Sequence, residues 1–176
     1  LLAISSAGGV LLSKNIGTSD SEFATKIIRS QDNKFYVAGD IKLNGGNDEE
    51  ILICKLDTNF DVISSELLGT NLIDQVRDLK LGENNSIILA ISASTPFSSD
   101  AVICNLTSLS NISPGQKLGG MDLDGQSGVS IMGSYTRGFS LFTSGFSLGN
   151  TSSEDLYITK IPKSFNISCA TDFESI

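Results

Sequence analysis

The chain has 176 residues, 40% hydrophobic and 18% charged, which suits one well-cored domain or a run of repeats and is too short for two ordinary domains. Its net charge is −8 with only 12 scattered basic residues, an electrostatic balance that argues against nucleic acid and anionic membrane surfaces as partners. No apolar run approaches the roughly 18 residues of a membrane-spanning helix, and without histidine there can be no Cys-His zinc site, Cys-His pair or Ser-His-Asp triad.

In chain order, the opening Leu1-Leu2-Ala3-Ile4 lacks the basic leader and the length of a signal peptide and reads as a chain entered in mid-strand. Residues 1–5 and 9–16 are expected as two strands around a turn at Ala7-Gly8-Gly9. Four strands should follow at 22–29, 34–39, 50–56 and 61–68. The first pair is joined by the polar turn Gln31-Asp32-Asn33-Lys34, and a loop through Asn44-Gly45-Gly46-Asn47 leads to the third strand. The next four are expected at 74–81, 86–91, 100–106 and 111–118. Asp74 to Leu81 alternates polar and apolar as a half-exposed strand does, whereas Ser86 to Ile91 is nearly all apolar, as befits a strand covered on both faces. Pro114 suits an edge strand, because proline cannot donate to a ladder. A looser set follows: a first strand diluted by Gly125, Gly128 and Ser130, then strands at 139–143, 155–161 and about 165–171. No window carries a 3.6-residue apolar stripe, so helix should be essentially absent, with fourteen strands in all.

The sets repeat. Gly17, Gly69 and Gly119 stand 52 and 50 residues apart, Cys54 and Cys104 stand 50 apart, and Asp100 and Asp155 stand 55 apart. Leu56, Leu106 and Ile161 should therefore occupy matching places. A period near fifty residues in a strand-rich chain indicates β-propeller blades. The expected fold is all-β, about three and a half four-stranded antiparallel blades: a half blade at 1–17 and blades at 18–69, 70–119 and 120–176. Three and a half blades cannot close a ring, so the chain is expected to be part of a larger propeller, completed by further blades of the same polypeptide or by other chains. Equivalent strands of stacked sheets lie roughly 10 Å apart, beyond disulfide reach, so Cys54 and Cys104 are expected as buried free thiols. Cys169, in the last strand, should be the same.

Asn-Lys-Phe-Tyr-Val-Ala-Gly (33–39), Glu-Glu-Ile-Leu-Ile-Cys-Lys-Leu-Asp (49–57) and Leu-Leu-Gly (67–69) are similar to the bacterial-type (SBBP-like) β-propeller repeats. The resemblance covers almost the whole chain. It departs where fourth-strand aromatics give way to Leu11, Ile63 and Ser113, and where only Gly39 keeps the second-strand glycine. It implies that the strands from Glu22, Asp74 and Asp124 line a central channel. It also implies a scaffold or binding module of secreted and surface proteins.

The chemistry legible in the residues is sparse. Asp122-Leu123-Asp124-Gly125 begins like a calcium loop, but glycine comes at position 4 and Gly133 at position 12, where the loop needs glycine at 6 and glutamate at 12. Asp122 and Asp124 are thus weak metal candidates beside the plainer reading of an acidic turn; Asn44 to Glu50 is a similar loop. Glu22, Asp74, Asp78 and Asp124 could serve as paired carboxylates of a glycosidase, or could be repeat-equivalent polar positions. No nucleophile elbow or phosphate loop is present. Sequons occur at Asn84, Asn105, Asn111, Asn150 and Asn166, of which Asn84 and Asn150 fall in expected turns and are the glycosylation candidates. The expected function is a non-enzymatic scaffold or interaction module, extracellular or at the cell surface. It would need no cofactor and would bind protein or glycan through loops on one face. The alternatives are a carbohydrate-active enzyme and a purely structural part of a large assembly.

Overall fold

The computed structural model describes residues 1–43, 49–69, 73–94, 99–109, 111–112, 115–118, 124–134, 138–147, 150–161 and 171–173. Fifteen strands run through them: β1 (Leu2–Ile4), β2 (Val10–Ser13), β3 (Ser21–Arg29), β4 (Phe35–Lys42), β5 (Glu49–Leu56), β6 (Val62–Leu68), β7 (Ile73–Leu81), β8 (Ile87–Ser94), β9 (Ser99–Ser108), β10 (Asn111–Ile112), β11 (Gly115–Leu118), β12 (Asp124–Ser134), β13 (Gly138–Ser147), β14 (Asn150–Ile161) and β15 (Thr171–Phe173). The fold is all-β and antiparallel. No α-helix occurs among the described residues, and none could cross a membrane.

β1 and β2 form a two-stranded sheet, and β3-β4-β5-β6 a four-stranded meander. The order β7-β8-β9-β11 repeats the meander, with β10 also on β9; β12-β13-β14 form a third sheet. The register repeats with the sequence. Phe35 pairs with Leu56, Ile87 with Leu106, and Phe139 with Ile161. All three partners are fully buried, so the matching places read from the sequence do coincide. The hairpin follows the same rule one strand pair further out: Ile4 pairs with Val10, Leu56 with Val62 and Leu106 with Ile112, each beside a break in register. Cys54 and Cys104, two residues before these sites, are buried free thiols, as expected; Cys169 lies outside the described residues.

The outer strands of the second and third sheets are described only in part. Of the strand expected at 111–118, the described parts are β10 and β11, both antiparallel to β9; Ser113 and Pro114 lie outside the described residues. The strand expected at 165–171 to close the third sheet falls mostly outside the described residues. β15, which begins where that strand was expected to end, pairs with β11 of the second sheet, Gly115 opposite Phe173.

Stacking of the sheets follows from their alternation. β7 lies across β3, β4 and β5, and β12 across β7, β8 and β9. The main core joins the first two sheets: Tyr36, Ala38, Ile51 and Ile53 on one side, and Val76, Leu79, Ile91, Val102, Cys104 and Leu106 among those on the other. β8 is covered on both faces, with Ile87 to Ala93 buried throughout, which explains its unbroken apolar run. On the far face of the first sheet, Cys54, Leu56 and Phe60 are covered by Leu1, Ala3, Leu12 and Ile16 of the hairpin segment. The rings of Phe35 and Phe60 meet edge to face at 5.2 Å.

Candidate functional site

Two arrangements of polar side chains stand out, at opposite ends of the interface between the first two sheets. The inner one is built on a bulge. β3 carries one extra residue, Thr25, against β4, and β7 carries Arg77 against β8 at the equivalent place. A bulge re-aims the side chains beside it. In β7 this places Asp78, which is buried, between neighbours on both sides. Its Oδ2 accepts the N–H of Ile131 on β12 at 2.9 Å, and its Oδ1 accepts that of Leu79, also at 2.9 Å. The ammonium groups of Lys26 on β3 and Lys80 lie 3.4 and 3.6 Å from its oxygens. Burial pushes the Asp78 carboxyl up, but the two N–H groups and the two lysines outweigh it and hold it below the usual range. Asp78 thus ties all three larger sheets together.

Asp40 makes a second such tie, its Oδ1 accepting the N–H of Val76 at 2.7 Å. Burial pushes this carboxyl up, the Val76 bond opposes that, and nearby Glu49 adds to it. Glu49 is held low by Lys42 at 2.9 Å and by Gln75, whose amide donates to it at 2.6 Å. Two neighbouring carboxyls shifted in opposite directions are the pattern an acid–base pair requires; the sequence marked Glu49 only as part of an acidic loop, and Asp40 not at all. Both are nevertheless engaged in holding β7 to the first sheet. The raised Asp40 carboxyl favours folding below the unfolded pKa, and that contribution is lost as pH rises through the folded value. Asparagine keeps the acceptor without the charge. At neutral pH, Asp40→Asn should therefore match the wild type or exceed it by about 1 kcal/mol in denaturant titration.

The other residues read as channel carboxylates are dispersed. Glu22 is held low by the hydroxyl and backbone N–H of Thr18. Asp74 is buried at the start of β7, opposite Ala93. Burial, with Asp74 adding to it, pushes the Cys104 thiol up to about 12, so it is a packing group and not a nucleophile. Glu22 acts likewise on Cys54. Asp124 opens β12, opposite Gly145, and Asp122 lies outside the described residues. Among the described residues no three metal-ligating side chains converge.

The outer arrangement lies at the turn end of the same interface. Asn33, Asn84 and Asn85 take left-handed backbone conformations, which asparagine tolerates better than most residues, and so close the turns at 30–34 and 82–86. The Gln31 N–H donates to the Asn85 side-chain oxygen at 2.9 Å and joins the two turns. Below them opens a cleft of about 410 Å³ lined by Asp32, Lys55, Glu66, Asn84, Asn85 and Thr107 among others. The Lys55 ammonium stands 5.3 Å above the Tyr36 ring and 3.8 Å from an Asp32 oxygen, a fixed cation in a hydrogen-bonding surround. Asn84, a glycosylation candidate, is exposed on the 3-10 turn Glu83–Asn85 at the rim. Asn150, the other, is the first residue of β14, opposite Ser147.

No protein-family model matches the chain, and no curated protein matches it in sequence.

Proposed function

We propose that the chain is a β-propeller segment related to the bacterial-type repeats, serving as a non-enzymatic interaction module outside the cytosol and taking a hydroxyl-rich ligand at its turn end. The turn-end cleft carries this reading. Its lining is mostly hydroxyl, amide and carboxylate, with one oriented ammonium, and such a surround suits a glycan or a polar protein loop over an apolar side chain. The repeated register from Leu56 to Ile161 supports the propeller reading, since sheets that copy one another at a period near fifty residues stack as blades do.

A glycan panel tests the proposal. Binding should be lost in Lys55→Met and kept in Asp40→Asn. The enzyme alternative draws on the oppositely shifted Asp40 and Glu49; turnover of a glycan that is abolished by Asp40→Asn or Asp74→Asn would put the enzyme in place of the module. Expression with the Asn84 sequon intact and removed separates modification from binding, because a glycan on Asn84 would stand over the cleft.

A further inference from the structure

Leu56 and Ile4 hold the same place in register, yet Leu56 is fully buried and Ile4 is 56% exposed. Leu79 and Ile27 hold the same place in β7 and β3, opposite Leu89 and Val37, and are 0% and 46% exposed. What covers the buried member of the second pair is visible: β7 lies across β3, β4 and β5, where Leu79 belongs to one core with Tyr36, Ala38 and Ile53 and with Ile28 packed against it. On the opposite face of the first sheet, β1 and β2 stand in the place of β5 and β6, and nothing described stands in the place of β3 and β4. The consequence is local. Leu56 is covered by the hairpin, while a cleft of about 210 Å³ opens over Ala24, Val37, Gly39 and Cys54, and Ile27 faces outward. Among the described residues β1 is hydrogen-bonded along one edge alone.

We infer that this open half is a docking site for a two-stranded antiparallel β-hairpin. Its outer strand adds to the edge of β1, and its side chains fill the cleft over Ala24, Val37 and Gly39 and cover Ile27. The inference rests on the propeller reading and names the partner that reading requires. The occupant is a polypeptide segment beyond the described residues with the chemistry of the pair it replaces: an aliphatic residue on the inner strand at the place of Ile28, and on the outer strand an aromatic and a small residue two positions apart, as Tyr36 and Ala38 are. Strand addition supplies the affinity through main-chain hydrogen bonds, and the alternate pockets select the side chains.

A peptide copy of residues 21–42 is the probe, used free and also fused ahead of Leu1 through a short Gly-Ser loop. The expected result is slowed amide exchange at Leu2 and Ile4, a higher melting temperature for the fusion, and about tenfold weaker peptide binding in Ile27→Asp. Ile27 is exposed, so that substitution leaves the fold intact, and Glu66→Gln at the turn-end cleft should leave peptide binding unchanged. A fusion that neither raises the melting temperature nor protects β1 overturns the inference. So does self-association of the unmodified chain that Ile27→Asp abolishes, which would make a second copy the occupant. Glycan binding at Lys55 is read separately, so either proposal can fail while the other stands.

Discussion

Replacing Gly39 with alanine should destabilise the protein by about 3 kcal/mol, the upper part of the usual range for an overfilled site. Gly39 lies opposite Ala24, where the Thr25 bulge presses β3 against β4. A Cβ there would stand 2.0 Å from the Phe23 carbonyl oxygen and 2.8 Å from the Ala24 Cα. Both contacts are backbone, so no side chain can swing aside to relieve them, and the bulge itself must shift. For a chain of this size the melting temperature should fall by roughly 6–12 °C. The same register place holds Ile91 in the second sheet, opposite Val76, and that isoleucine is well buried. The constraint therefore belongs to the first sheet and not to the repeat. Ile91→Gly should also destabilise, by lost burial instead of collision. A Gly39→Ala protein that melts within a degree of the wild type would show that the bulge does not press β3 onto β4 in this way.

Asp78→Asn should cost about 2–3 kcal/mol, as expected when a buried charged acceptor of two N–H groups is reduced to a neutral acceptor of one. One of the Leu79 and Ile131 N–H groups must then face an amide N–H, and Lys26 and Lys80 lose their counter-charge. The contrast with Asp40→Asn is the diagnostic, since among the described residues Asp40 accepts one N–H, through Oδ1. The pH dependence follows from the direction of the shift. The Asp78 pKa is depressed on folding, so its contribution is fully present above the usual value of 3.8 and is lost as pH falls through the lower folded value. The gap in melting temperature between wild type and Asp78→Asn should accordingly be constant near neutral pH and narrow in strong acid. A gap that does not change with pH would mean that the charge is not what binds the sheets.

The period was legible because it is carried by residues with one dominant role. Leu56, Leu106 and Ile161 are deep core, and Cys54 and Cys104 pack as small apolar groups, so burial alone fixes their type and spacing. The all-apolar run of β8 was legible for the same reason. The polar framework was not. Asp78, Glu22 and Asp74 could be read as channel carboxylates or as repeat-equivalent polar positions, because a sequence shows the charge and not groups such as the Ile131 and Leu79 N–H that meet Asp78. Asp40 carried no signal and Glu49 only that of an acidic loop, since their roles arise from the way β7 crosses the first sheet. The bulges at Thr25 and Arg77 have no residue signature either; Gly39 is a trace of the first alone. The pairing of β15 with β11 carried no sequence signal, because three residues, Thr171-Asp172-Phe173, are too few to show a pattern.

Every ladder of the first sheet joins strands consecutive in the chain. Loops that short cost little to close, so each meander can be completed during synthesis as soon as its last residue clears the ribosome. β11 is the exception, because its second partner is made only when residue 173 has emerged. Until then β11 keeps an open outer edge, and the second sheet is completed only by three residues made well after its other strands.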